Sequence, residues 1–501
     1  MKKINILFAA LAITASSCDG FLNIIPETQL STETFFKTEA DFQQAVNAAY
    51  APLRPIVNDR AWRLSEMRSD NTIYAFNSMF GATEQDEDIN DHAIPDAQGI
   101  NSNTHVLNHY RLDYQIVART NQILTTIDGV EFDANSKNNI KGQAHFLRAY
   151  AYYELAKYFQ SVPLHLEPVT TREEAAKPLA PEAEIYNQII ADAQAAIELL
   201  PPRSQQELGR ATSGAARMLL ADVYMRQHKW AEAETLLKEI VNSGEYELMA
   251  NYENAFSESV GNKNTKESLF EVQFLEGSQG LNGSFMYNFM PRPMVEEELV
   301  PLTGTSNPQP LDGQGNNVPT PDIVAAYEEG DLRKDASIGF VTLKNSLNDD
   351  KTYPYIKKFA RKHALHGNHG MNWPIYRYSE TLLFLAEALN EQGKSAEAVP
   401  YLNMVRDRAG LGNTTASSQA DLRDAIMHER RVELAFENKR WHDLTRTDTY
   451  LEVITAFGNR AKANPKAYYF QDGWTFRSHA FGNITKFYTL PAAESEITPH
   501  F

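Results

Sequence analysis

The chain is 501 residues long, 43% hydrophobic and 22% charged, with a formal net charge of −18 at pH 7. That length allows one large core or two lobes, and the composition is ordinary for a globular protein. The acidic balance argues against nucleic acid and anionic lipid headgroups as partners, and suits an exposed protein that binds something uncharged or cationic.

The first residues form a targeting segment. Lys2 and Lys3 precede an apolar run over residues 4–13, followed by the small residues Ala15, Ser16 and Ser17. Such a run is a signal peptide, here residues 1–17, and it falls short of the roughly 20 residues a membrane-spanning helix needs. Cys18 comes next and is the only cysteine, so it cannot close an internal disulfide. It is expected to be the lipid-modified first residue of a lipoprotein, with 18–34 as a tether; the alternative is an ordinary signal peptide with a chance cysteine. Acylation would leave the protein anchored to a membrane and not spanning it.

Residues 36–53 read as a helix, with Phe42, Val46, Ala49 and Tyr50 on one face and Pro52 and Pro55 ending it. Helical periodicity fails over 60–101, a stretch holding Trp62, Tyr74, Phe76 and Phe80 among many Asp, Asn, Gly and Ser. Helices are expected at 105–127, 140–159 and 185–200, the last closed by Pro201 and Pro202. A further helix opens after Arg210 and contains half of an internal repeat. Residues 220–237 superpose without gaps on 385–402, with identities that include Leu220/Leu385, Ala221/Ala386, Lys229/Lys394 and Leu237/Leu402. Small residues around a tight turn with Ala-Glu-Ala behind it are the frame of tetratricopeptide-like helix pairs, which stack to bury their inner faces. The fold class expected is therefore mainly α: a tetratricopeptide-like scaffold over 35–244 and 375–501. The Gly-, Asn- and Pro-rich residues 245–374 would form an irregular loop-and-hairpin lobe.

Within 376–446 the pattern reads as a helical hairpin and then one long amphipathic helix. Gly393 stops the first helix, Ser395 is placed to cap the second, and Asp421 or Asp424 to cap the third. Glu429, Glu433 and Glu437 stand four apart with Arg430, Arg431, Arg440 and Arg446 interleaved. Acid/base catalysis wants two carboxylates opposed across a cleft; three on one stripe among arginines read as an ion-pair network bracing helix on helix.

Other constellations carry less. His363, His366 and His369 stand three apart and could hold a structural zinc, but no Cys or acidic partner is fixed beside them, so an exposed polar loop is expected. Asp86, Asp88 and Asn90 open like a calcium loop, yet Asp91 and Ala97 occupy its glycine and final glutamate positions; a structural calcium is possible and unsupported. No nucleophile-elbow, phosphate-loop or dinucleotide fingerprint occurs, no cofactor is indicated, and the reading is of a protein that is not an enzyme. What is left is aromatic loops. Sugars present flat C–H faces rimmed by hydroxyls, so a glycan site wants Trp or Tyr platforms beside polar groups. Trp62, Tyr74, Phe76 and Phe80, then Tyr287, Phe289 and Arg292, then Trp474 are the candidates. For each aromatic the rival is that it pins its own loop to the scaffold. Trp373 and Trp441 are assigned to the scaffold outright.

The segments YSETLLFLAEALNE, N-x-V-R-x-R-A-G and ERRVELAFENKRWHDLTR, in that order, resemble the C-terminal signature of the SusD/RagB family. C-D-x-F-L-x-x-x-P from Cys18, the Arg148 to Pro163 spacing and the Asp331-Leu-Arg333 turn resemble further family elements. The end near Leu490-Pro491 does too, departing at Ala492 and Ala493. The resemblance implies a nutrient-binding lipoprotein on the outer-membrane cell surface. It would hold an oligosaccharide as the lid of a SusC-like TonB-dependent transporter barrel and break no bond. Peptide in place of glycan is the alternative, including a peptide in the concave helical groove, and a surface glycosidase the more distant one.

Overall fold

In the computed structural model the described residues are 35–74, 83–93, 102–256, 263–309, 315–343 and 351–496. Thirteen helices of seven or more described residues carry the argument, and they are numbered here in chain order. Helix α1 (Glu39–Tyr50) starts at a capping box in which the Thr38 N–H donates to Asp41 Oδ2 at 2.8 Å, and it buries Phe42, Val46 and Ala49. Helix α2 (Glu84–Asn90) is short and acidic. Asn103 and Asp133 cap α3 (Thr104–Thr126) and α4 (Ala134–Phe159). The C-terminal two-thirds of α4 is buried nearly all round, which explains why it reads as apolar and aromatic on every face. Helix α5 (Glu182–Leu199) lies against it at Gly142, where a Cβ would come within 2.8 Å of Leu200 Cγ.

The internal repeat is two copies of one hairpin. It comprises α6 (Ser213–Arg226) with α7 (Trp230–Asn242), and α9 (Tyr378–Glu391) with α10 (Ser395–Arg408). The turn of each copy places one residue in left-handed backbone at the same repeat position, His228 at φ 56° and Gly393 at φ 74°. Helix α7 packs on α9, so the copies are neighbours although the lobe separates them in sequence. The series α3, α4, α5, α6, α7, α9, α10 continues into α11 (Gln419–Glu433), each helix packed on the next, and α11 packs on α9 as well.

Between α7 and α9 the chain builds α8 (Glu296–Thr303) and most of three two-stranded antiparallel ribbons. They are β1 (Thr72–Ile73) with β3 (Val318–Pro319), β2 (Ser268–Val272) with β6 (Trp373–Arg377), and β4 (Ile338–Thr342) with β5 (Thr352–Ile356). Strand β6 runs directly into α9 and ties the lobe to the scaffold.

Three local expectations are corrected. Ser395 is no cap: its hydroxyl donates to Asn390 Oδ1 at 2.7 Å, and Lys394 stands at the cap position of α10 without a side-chain cap bond. Ser418, not Asp421 or Asp424, caps α11. The long third helix is two helices, because left-handed Phe436 and Asn438 turn the chain between α11 and α12 (Arg440–Arg446). Helix α13 (Tyr450–Ala463) follows.

The glutamates do form an ion-pair network, but mostly with other arginines. Arg333 Nη1 reaches Glu429 at 2.5 Å and Glu433 at 3.1 Å, Arg408 Nη2 reaches Glu433 at 2.5 Å, and Glu437 holds Lys358 at 2.8 Å and Arg377 at 2.7 Å. The network joins α11 to the lobe and to α10. Arg430 and Arg446 instead cover the Phe384 ring and bind Glu380 and Glu387 of α9. The inner face of the helical stack is thereby filled by the chain's own α12 and β6, leaving a small cavity of about 50 Å3.

Candidate ligand-binding site

Two segments that break helical periodicity, 56–68 and 284–294, are packed against each other. The first is a close winding of short helical turns, with Ala61–Leu64 and Glu66–Arg68 buried throughout. From residue 61 to 68 it is irregular in sequence because it has no solvent face to be periodic about. The Asn58 carboxamide oxygen accepts from the backbone of Ser284 (2.7 Å) and Phe285 (3.1 Å), which fixes the turn Phe285–Phe289 to it. Trp62 then meets Phe289 edge-on, centroids 5.5 Å apart, above Phe359 and Trp373.

A polar layer lies over this aromatic floor. The Arg63 guanidinium sits 4.1 Å over the Trp62 ring and donates through Nε to Asp86 of α2 at 2.8 Å. Asp59 pairs with both Arg60 (2.7 Å) and Arg63. Arg60 Nη1 donates to His105 Nδ1 at 2.8 Å, so His105 carries its proton on Nε2, which faces Asp86 at 3.4 Å. Burial, and then the nearby Arg63 charge, push the His105 imidazole down to about 4, so it is neutral at pH 7. Asn316 donates its amide to Asp86 at 3.1 Å.

The other side of α2 makes a second group. Asp88 holds Arg477 Nη2 at 2.8 Å. The Tyr74 hydroxyl donates to Asp91 at 3.0 Å, and its ring stands edge-on to Phe470, which stacks on Trp474 (5.4 Å, 13°). Helix α2 therefore bridges both groups, and Asp59, Arg60, Arg477 and Trp474 keep part of their surface in solvent. The face offers hydrogen-bond donors and acceptors beside one accessible indole.

A sequence model of the SusD family matches residues 333–499, and one described as starch-binding, associating with outer membrane matches residues 20–225. The chain belongs to the SusD/RagB family. SusD-like protein P2 of Formosa agariphila is 28% identical over 93% of this chain and 94% of its own. A solved laminarin-binding SusD-like protein is 25% identical, with a TM-score of 0.72 over 92% of this chain and 98% of that one. The surface glycan-binding protein A of Bacteroides uniformis shares the fold at a TM-score of 0.73 and 23% identity, over 93% and 99%.

In this SusD-family chain the candidate residues fall unevenly. Trp62, Tyr74 and Phe289 are wholly buried and Tyr287 is 4% exposed, so these four are core pins and not exposed stacking platforms. Their rings fill the space beneath α2 and the lobe, where no flat ligand reaches them. Arg292 is likewise buried, 5% exposed. Of the described candidate aromatics, Trp474 alone keeps part of its surface exposed. Phe76, Phe80 and Cys18 lie outside the described residues. Trp373 and Trp441 are core, as assigned.

Two further readings are corrected. The histidine loop is buried, not exposed: Tyr287 donates its hydroxyl to His363 Nε2 at 2.6 Å while His363 Nδ1 donates to the Arg361 carbonyl at 2.9 Å. Both nitrogens of His363 are thus engaged by protein, and no group of three metal-ligating side chains gathers among the described residues. Asp86, Asp88 and Asn90 are helical, and Asp86 and Asp88 are engaged by arginines, so they do not form a calcium loop. Sequence reasoning missed Asp59, Arg60, His105, Asn316 and Arg477. The one available signal was the acidic run 84–91, read for a metal when it organises arginines.

Proposed function

We propose that this protein is a cell-surface glycan-binding lipoprotein that captures an oligosaccharide and delivers it to a SusC-like TonB-dependent transporter barrel in the outer membrane. The observation that carries the reading is the surface on the two sides of α2: partly exposed donors and acceptors from Asp59 and Arg60 on one side, and Arg477 with the partly exposed Trp474 ring on the other. Sugar hydroxyls both donate and accept, and a ring C–H face stacks on indole. Family membership and the laminarin-binding relative support the ligand class. Cys18 would carry the lipid anchor. Binding would proceed by shape and hydrogen bonding, with no bond broken.

The peptide alternative in its groove form is weakened by α12 and β6, which occupy the inner face of the helical stack. A glycan array on the mature protein, followed by calorimetry, tests the reading: oligosaccharide binding that Arg60→Ala weakens about tenfold supports it. Binding of peptides alone, or turnover of a glycan, overturns it. Recovery of a barrel transporter with the lipoprotein from gently solubilised membranes tests the partner.

A further inference from the structure

Remote from the α2 face, a pocket of about 630 Å3 opens between the first turn of α5, the C-terminal ends of α6 and α12, and residues 486–487. That volume lies within the roughly 300–1,000 Å3 usual for small-molecule sites. Tyr186 and the half-buried Phe487 give it ring faces, and Arg226 and Lys486 give it two positive charges.

These two cations differ from the others nearby. Arg446, also at the pocket wall, is saturated by Glu387 at 2.7 Å and Asp443 at 2.9 Å. Among the described residues, no carboxylate oxygen lies within 4.0 Å of Arg226 or Lys486. Arg226 Nε is buried with no hydrogen-bond partner, and the guanidinium otherwise meets the His442 carbonyl at 3.4 Å and the Tyr153 hydroxyl. Burial, and then the facing Arg226 charge, lower the Lys486 ammonium. Asp222 acts on Arg226, and Asp448 and Glu182 on Lys486, only from beyond ion-pair distance, so an anion placed between the two cations would meet both directly.

Carboxylates also border the pocket. Glu182 is held by Gln160 at 3.0 Å, and Asp448 stands exposed at the mouth. They put like charge at the rim, which weakens the hold of the two cations on any anion.

We infer that this pocket is a second binding site, taking a sugar carboxylate: a uronic acid residue whose carboxylate sits between Arg226 and Lys486 and whose ring lies on Phe487. The choice of a sugar as the carrier rests on the glycan reading above; the preference for a carboxylate beside a flat apolar face does not.

The test is calorimetric titration of the full mature chain with trigalacturonate and with a neutral galactose trisaccharide. Lys486→Gln is expected to weaken trigalacturonate about tenfold, and Asp448→Asn to tighten it about threefold by removing a like charge. Asn tolerates the left-handed backbone at residue 448 (φ 59°), so the second variant keeps its fold. Neither change is expected to alter heats with the neutral sugar. Arg60→Ala separates the two sites: it leaves trigalacturonate binding intact even where glycan binding at the α2 face weakens. Trigalacturonate that does not bind at about 10 mM, binds equally well to both variants, or is lost only in Arg60→Ala, overturns the inference.

Discussion

Arg377 Nη1 lies 3.0 Å from Glu433 Oε1, joining the end of β6 to the end of α11 inside a buried network. Glu433 also serves Arg333 and Arg408, so one carboxylate holds three guanidinium groups from β6, α10 and the lobe. Glu433→Gln leaves those charges short of a partner. A loss of about 3–5 kcal/mol is expected in urea unfolding at pH 7. A loss below about 1 kcal/mol would mean that the network is dispensable.

The same carboxylate sets acid stability. Burial alone would raise it, but Arg408, Arg377 and Arg333 hold it well below the usual 4.5. A folded value below the unfolded one gives stability that is present above about 4.5 and lost as pH falls through the folded value. Thermal melts are expected to collapse below pH 4.5 in the parent and to fall much less steeply there in Glu433→Gln.

Asp91 works in the opposite direction. Burial pushes its carboxyl from 3.8 up to about 8, and Glu66 likewise from 4.5 up to about 7. Folded values above the unfolded ones give stability present below the unfolded values and lost as pH rises through the folded ones. Melting temperature is therefore expected to decline toward pH 8, and Asp91→Asn to flatten the upper part of that decline. An unchanged slope in the variant would exclude Asp91 as its source.

Gly393 tests the repeat. Its φ is 74° and a Cβ there would meet nothing within 4 Å, so any cost is backbone strain alone. Gly393→Ala is expected to lose about 1 kcal/mol, and Gly393→Asn less, in equilibrium unfolding. No difference between Ala and Asn would contradict the left-handed turn.

Trp62 and Arg60 separate floor from surface. Trp62→Ala is expected to cost about 3–5 kcal/mol, with binding lost only as the fold is lost. Arg60→Ala is expected to cost about 1 kcal/mol, because it ends the Asp59 pair and the bond to His105, and to weaken oligosaccharide about tenfold. Melts and calorimetry on the same variants decide it.

Cys18→Ala is expected to abolish fatty-acid labelling and release the protein from membranes. Undiminished labelling of that variant would refute the anchor.

Much of this was legible in sequence. Apolar spacing located α1, α3 and α9 to within a few residues, because a helix half in water must show its period. The repeat of 220–237 in 385–402 announced two matching hairpins, since each turn packs the same Ala-Glu-Ala behind it, although the left-handed position is His228 in one and Gly393 in the other. The glutamate stripe was recognisable as structural from its charges. The tertiary structure alone decided the rest. Which arginines answer Glu433 depends on Arg333 and Arg377, brought from the lobe by folding and invisible to spacing along α11. Whether an aromatic is floor or platform depends on what covers it: Trp62 and Tyr74 have the composition of a site and the burial of a core, while Trp474 stays partly exposed. Linear pattern reports the chemistry a residue has to offer, and packing across hundreds of residues decides whether solvent or a ligand can reach it.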